Sequence, residues 1–131
     1  MAGSVESVIR LRMSGADAHY GGSLVDGARI AELFGDAITE VLIRHDGDEG
    51  LSRVMTTEFL APVRSGDYIE IRAHLVSVGK SSRRIECTAY KVIELIEPNG
   101  SAARVFAQPI LVARAVDIAV VPLEKQRARA P

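Results

Sequence analysis

The chain turns on Asp17-Ala18-His19-Tyr20-Gly21-Gly22-Ser23-Leu24-Val25-Asp26-Gly27-Ala28-Arg29, where a loop with a histidine, a tyrosine and two adjacent glycines runs into the one long helical pattern. Ser23 followed three residues later by Asp26 has the form of a capping box, in which each side chain satisfies a backbone N–H of the first turn. Glycines ahead of a helix let another molecule approach its exposed N–H groups and the positive end of its dipole. A carbonyl oxygen that gathers negative charge is stabilised at such a place. From Leu24 onward Ile30, Leu33, Phe34, Ala37, Ile38, Val41 and Leu42 recur at spacings of three and four. They form one apolar stripe over about six turns. Gly27 and Gly35 each cost about 1 kcal/mol relative to alanine inside a helix, which points to close packing at both. Arg44-His45-Asp46-Gly47-Asp48-Glu49-Gly50 ends the helix with cations in its last turn and then glycines.

On either side the period is near two. Residues 4 to 13 suit a strand, broken by Ser14-Gly15-Ala16-Asp17. Residues 52 to 60 form a second, with Met55, Thr57 and Phe59 on one face and Val54, Thr56, Glu58 and Leu60 on the other. Ala61-Pro62-Val63-Arg64-Ser65-Gly66-Asp67 is a connection, because proline donates nothing to a sheet ladder. Residues 68 to 78 alternate cleanly with Ile69, Ile71, Ala73 and Leu75 inward. A bend at Val78-Gly79-Lys80-Ser81-Ser82 leads to a strand over 83 to 95, and Glu97-Pro98-Asn99-Gly100 is a turn. The last strand covers about 103 to 116, with Pro109 marking an edge position or a bulge. One helix between a first strand and four consecutive antiparallel strands is an α+β arrangement, a sheet of about five strands wrapped around the helix.

The 131 residues allow one hydrophobic core, so the chain reads as a single domain over 1–131, ordered from about 5 to 121, with a flexible tail over about 124–131. A net charge of −1, with basic and acidic residues interspersed, gives no footprint for nucleic acid. The basic end Lys125-Gln126-Arg127-Ala128-Arg129 reads as a solvated tail. Cys87 is the one cysteine and sits in an apolar run, which makes it a buried thiol rather than half of a disulfide. With no secretory signal and no run long enough to span a bilayer, the cytoplasm is the default location. His19, His45 and His74 lie far apart with no cysteine partner, so no metal site is expected. Asp46-Gly47-Asp48-Glu49 lacks the length and spacing of a calcium loop.

The element order, together with Phe59-Leu60-Ala61-Pro62-Val63-Arg64-Ser65-Gly66-Asp67, resembles the hotdog fold, whose acyl-CoA thioesterases and hydratases carry a similar Phe-x-x-Pro-Val-x-x-Gly-Asp run. A narrower resemblance is carried by His19 to Arg29, by Leu33-Phe34-Gly35-Asp36, by Ile43 to Leu51 and by Glu58 to Val63. Together these resemble the family of 3-aminobutyryl-CoA and β-alanyl-CoA ammonia-lyases, over about residues 5 to 117. That resemblance implies a coenzyme A thioester with a β-amino group, eliminated to an enoyl-CoA and ammonia. Coenzyme A enters as part of the substrate and no other cofactor is required. It also implies a homodimer with sites between subunits, where Glu58 of one chain faces Asp26 of the other, gathered into a hexamer.

Such chemistry needs a base for the α-proton, donors for the thioester enolate and a cradle for the ammonium. The Gly21-Gly22 backbone at the helix start is the expected thioester anchor. Glu58, Asp26 and His19 are the candidates for base and cradle. Glu58 stands out as a carboxylate between Thr57 and Phe59 in mid-strand, though an ion-paired surface residue looks the same. Asp26 doubles as a helix cap. The preferred assignment gives the α-proton to Glu58 and the amine to Asp26 or His19, with the reverse open. Tyr20 packs the pantetheine arm or only staples the helix. For the phosphates of coenzyme A the candidates are Arg64, Lys80, Ser81, Ser82, Arg83 and Arg84, any of which also reads as a solvated surface residue. The competing functions are an acyl-CoA thioesterase using the same site and a non-catalytic acyl-CoA-binding subunit. A hydratase of the usual hotdog type is disfavoured, because the place five residues after Asp26 is Ala31 rather than histidine.

Overall fold

A computed structural model describes residues 5–97 and 100–127. In chain order the elements are β1 (Glu6–Arg12), a 3-10 turn (Gly15–Asp17), α1 (Gly27–Asp46), β2 (Leu51–Phe59), β3 (Tyr68–Val78), β4 (Ser82–Leu95), β5 (Ala103–Val120) and a second 3-10 turn (Leu123–Lys125). The strands form one antiparallel sheet in the order β1-β3-β4-β5-β2. This is the expected architecture. The apolar stripe of α1, from Ile30 to Leu42, is buried against Ile69, Ile71 and Ala73 of β3, Ile85 and Ala89 of β4 and the alanines of β5. Small β5 side chains at 113, 115 and 119 leave room for the helix to lie across the sheet.

Three expectations about boundaries are corrected. The helix starts at Gly27 rather than Leu24, with Asp26 as its cap, accepting from the Arg29 N–H at 3.3 Å. Ser23 forms no capping box. It sits at φ 60 beside Gly22 at φ 69, and its hydroxyl donates to the Gly22 carbonyl. Two positive-φ residues make a tight turn, closed by the Leu24 N–H on the Gly21 carbonyl at 3.4 Å. The turn is then zipped to the β2–β3 connection, Val25 N–H to the Val63 carbonyl and Ser65 N–H to the Ser23 carbonyl. A non-local ladder, not a local cap, therefore fixes this loop.

The last strand is longer than expected and reaches Val120. Pro109 satisfies both readings offered for it. Lys91 pairs with Ile110 but Ile93 with Val105, so the register shifts around Pro109, and β2 pairs with β5 only from Ala113 onward. The tail is also partly fixed, contrary to expectation. Gln126 donates through Nε2 to the carbonyls of Lys80 and Val121, both at 2.9 Å, and the Arg127 N–H donates to the Asp46 carbonyl. Residues 128–131 and Pro98-Asn99 of the expected turn lie outside the described residues.

Of the two helical glycines, Gly27 meets the expectation of close packing: a Cβ there would stand 2.7 Å from the Phe59 ring. At Gly35 nothing lies within 4 Å.

Candidate active site at the helix start

The first turn of α1 projects backbone N–H groups that the helix itself cannot satisfy. Arg29 N–H goes to Asp26, while those of Gly27 and Ala28 have no partner among the described residues. On one side of this start lies a recess of about 400 Å³ lined by charge. His19 Nδ1 is 3.1 Å from Asp26 Oδ2. Arg29 bridges two further carboxylates, with Asp17 at 2.9 Å and Glu32 at 2.7 Å. Asp17 is held below the usual carboxylate range, chiefly by the Ser14 N–H. The recess thus holds three carboxylates to one guanidinium, a balance that favours a cation.

On the other side of the same turn is a slot of about 490 Å³ walled by Val25, Gly27, Ile30, Phe59, Leu60 and Val63. The helix start separates an acidic wall from an apolar one.

The structure brings His19 and Asp26 together and sets the other expected site residues elsewhere. Phe59 and Thr57 pair with the buried Ala113 and Ala115 on the helix side of the sheet, whereas Glu58 pairs with the exposed Arg114 on the opposite face. Arg114 at 2.7 Å holds Glu58 below its usual range by a hydrogen bond and by its charge. Within one chain Glu58 and Asp26 do not share a cavity.

Arg83 is corrected outright as a phosphate ligand. It is 1% exposed and makes two 2.8 Å hydrogen bonds to Asp46, with further donation to the Gly79 and Ser82 carbonyls. A guanidinium so enclosed offers no charge to a phosphate. Lys80, Ser82 and Arg84 are exposed and Ser81 half-buried on the same β3–β4 turn. That turn is tied through Arg83 to the C-terminal end of α1, about 30 Å along the helix from Asp26 at 1.5 Å per residue. Arg64 donates to the Gly22 carbonyl, and Tyr20 is 60% exposed on the same loop. Gly21 and Gly22 lie in that loop rather than at the helix start, so the free N–H groups belong to Gly27 and Ala28.

Sequence reasoning passed over Arg29, Asp17 and Glu32. The signal was present, since Asp26, Arg29 and Glu32 recur every three residues along one face. Among the described residues no group of three His, Cys, Asp or Glu is placed to hold a metal, and no helix is long and apolar enough to cross a membrane.

Comparison with known proteins gives the family and supports the fold. The thioesterase superfamily model matches residues 22–94. The chain is 50% identical over 125 residues to the 3-aminobutyryl-CoA ammonia lyase of Acetoanaerobium sticklandii, covering 94% of this chain and 99% of that one. The β-alanyl-CoA:ammonia lyase from Clostridium propionicum superposes with a TM-score of 0.92 at 33% identity, over 98% of this chain and 92% of the other. A Streptococcus mutans protein bound to acetyl CoA shares the fold, with a TM-score of 0.75 at 15% identity over 95% and 85% of the two chains. With its hotdog architecture and a relative of this identity along nearly its whole length, the chain belongs to the thioesterase superfamily and, within it, to the CoA-thioester ammonia lyases.

Proposed function

We propose that this enzyme releases ammonia from 3-aminobutyryl-CoA through His19 and Asp26. The observation that carries the reading is the 3.1 Å contact of these two side chains beside the free N–H groups of α1. The thioester oxygen sits on the Gly27 and Ala28 N–H groups, where the helix dipole favours the charge of an enolate. Asp26 accepts from His19 Nδ1–H, which fixes the ring and leaves Nε2 as the base that takes the α-proton. The electron pair of that C–H bond becomes the double bond as the C–N bond breaks. The β-ammonium leaves as neutral ammonia with the C–N pair, and the proton on His19 passes on to solvent or ammonia. Until then the carboxylates of the recess hold the ammonium. Glu58, bonded to Arg114 on the far face, takes no part in this version.

The chain reads as half of a dimeric site. β2 has one unpaired edge, and it runs antiparallel to α1, with Phe59 against Gly27 and Gly50 against Leu42. Two β2 edges paired about a two-fold axis bring the Lys80–Arg84 turn of a second copy to this helix start. Ser82 lies two strands in from Leu51, through Val120, so with the step between the two β2 edges that turn stands three spacings, about 14 Å, away at about 4.8 Å each. That distance suits the nucleotide end of coenzyme A, with Lys80 and Arg84 facing its phosphates. On this reading coenzyme A is needed only as part of the substrate. The enzyme then works in the cytoplasm, in lysine or β-alanine breakdown, as dimers gathered into a hexamer.

Incubation with crotonyl-CoA and ammonium is the direct test. Loss of enoyl absorbance without free thiol supports the lyase run in reverse. Free thiol from acetyl-CoA supports the second reading, a thioesterase, and neither result leaves a binding subunit.

A further inference from the structure

The apolar slot has more volume than the methyl group of a 3-aminobutyryl chain can fill. Its walls meet at one contact, the Phe59 ring laid over Gly27, where a Cβ would stand 2.7 and 2.9 Å from ring atoms. The slot is also lined by Val25, Ile30 and Val63, of which Ile30 is 2% and Val63 4% exposed. A β-carbon held beside the helix start has its amine toward Asp26 and its alkyl branch toward Gly27. The branch then runs beneath Phe59. We infer that Phe59, seated by Gly27, is the residue that sets which β-alkyl groups the enzyme accepts, and that the slot takes 3-aminoacyl thioesters longer than four carbons. The inference rests on the lyase reading for where the thioester lies.

Each methylene buried there is worth about fourfold in kcat/KM, the equivalent of about 0.8 kcal/mol. The experiment is a chain-length series of β-alanyl-, 3-aminobutyryl-, 3-aminopentanoyl- and 3-aminohexanoyl-CoA, assayed for ammonia with the wild type, Phe59→Ala and Gly27→Ala. The wild type climbs by about fourfold per step until the slot is full. Phe59→Ala removes one wall and flattens the climb. Gly27→Ala displaces the same ring and flattens it from the other side. A structural role alone lowers every substrate equally and keeps the wild-type slope. A slope unchanged in both variants, or absent in the wild type, overturns the inference.

If no substrate yields ammonia, the lyase reading fails first. The slot is then read by calorimetric dissociation constants for acetyl-, butyryl- and hexanoyl-CoA. A ladder that Phe59→Ala abolishes supports the specificity role, and a flat ladder in the wild type contradicts it.

Discussion

At Asp117 the sheet encloses a carboxylate with too few partners. It is 0% exposed, the Ser52 hydroxyl donates to Oδ1, and Oδ2 has no partner among the described residues. Burial pushes its pKa up. A carboxyl raised in the folded state contributes its stability in acid and loses it as pH rises through the raised value. Asp117→Asn, which keeps an acceptor for Ser52 and carries no charge, is therefore expected to compare better with the wild type at pH 8 than near pH 4. Urea unfolding at the two pH values measures it. Arg83 and Asp46, 1% exposed each, are the opposite case, two buried charges that satisfy each other. Arg83→Met takes the two-point guanidinium contact away from a buried carboxylate and is expected to cost about 3–5 kcal/mol in urea unfolding. Cys87 is pushed up to about 12 by burial and by the nearby Asp117 charge. Its thiol is expected to ignore a disulfide reagent such as DTNB at pH 8 and to react once urea unfolds the chain. The position of Arg83 was legible in the strand period, because Arg83, Ile85, Cys87 and Ala89 fall on one face. What the sequence lacked was the partner, Asp46, thirty-seven positions away.

Among the elements, α1 was the most readable, since seven apolar positions at spacings of three and four allow no other period. Its start was misread by three residues because Ser23 and Asp26 are both good caps. The choice between them is made by the hydrogen bonds from residues 23 and 25 to the β2–β3 connection, which no local pattern reveals. The positive φ of Gly22 carries a prediction at this scale. Gly22→Ala places a Cβ in a left-handed conformation and 3.3 Å from Arg64 Nη1, and is expected to lower stability by about 1–2 kcal/mol in thermal unfolding. At the far end of the helix, Arg127 donates to the Ile43 carbonyl while its backbone N–H caps Asp46. Arg127, in a segment that composition assigns to solvent, instead helps to close the helix.

The molecule as a whole presents a helix start with two walls, and the sequence pointed to that place while leaving open which face of β2 the helix covers. Alternation put Glu58 opposite Thr57 and Phe59, but which face the helix would cover depends on β5, whose alanines lie more than fifty residues away. If the Lys80 turn serves the site of a second copy, two defective chains complement each other. Asp26→Asn mixed with Lys80→Ala yields heterodimers in which one site has both groups intact, and activity at low substrate is expected to exceed that of either variant alone. The central claim is that His19 and Asp26, rather than Glu58, perform the elimination. Its most direct measurement is ammonia release from 3-aminobutyryl-CoA by folded Asp26→Asn and Glu58→Gln. The account predicts a fall of about 10²–10⁴ in kcat for Asp26→Asn and near-normal turnover for Glu58→Gln. Near-normal turnover in Asp26→Asn, with the loss falling on Glu58→Gln, would contradict it.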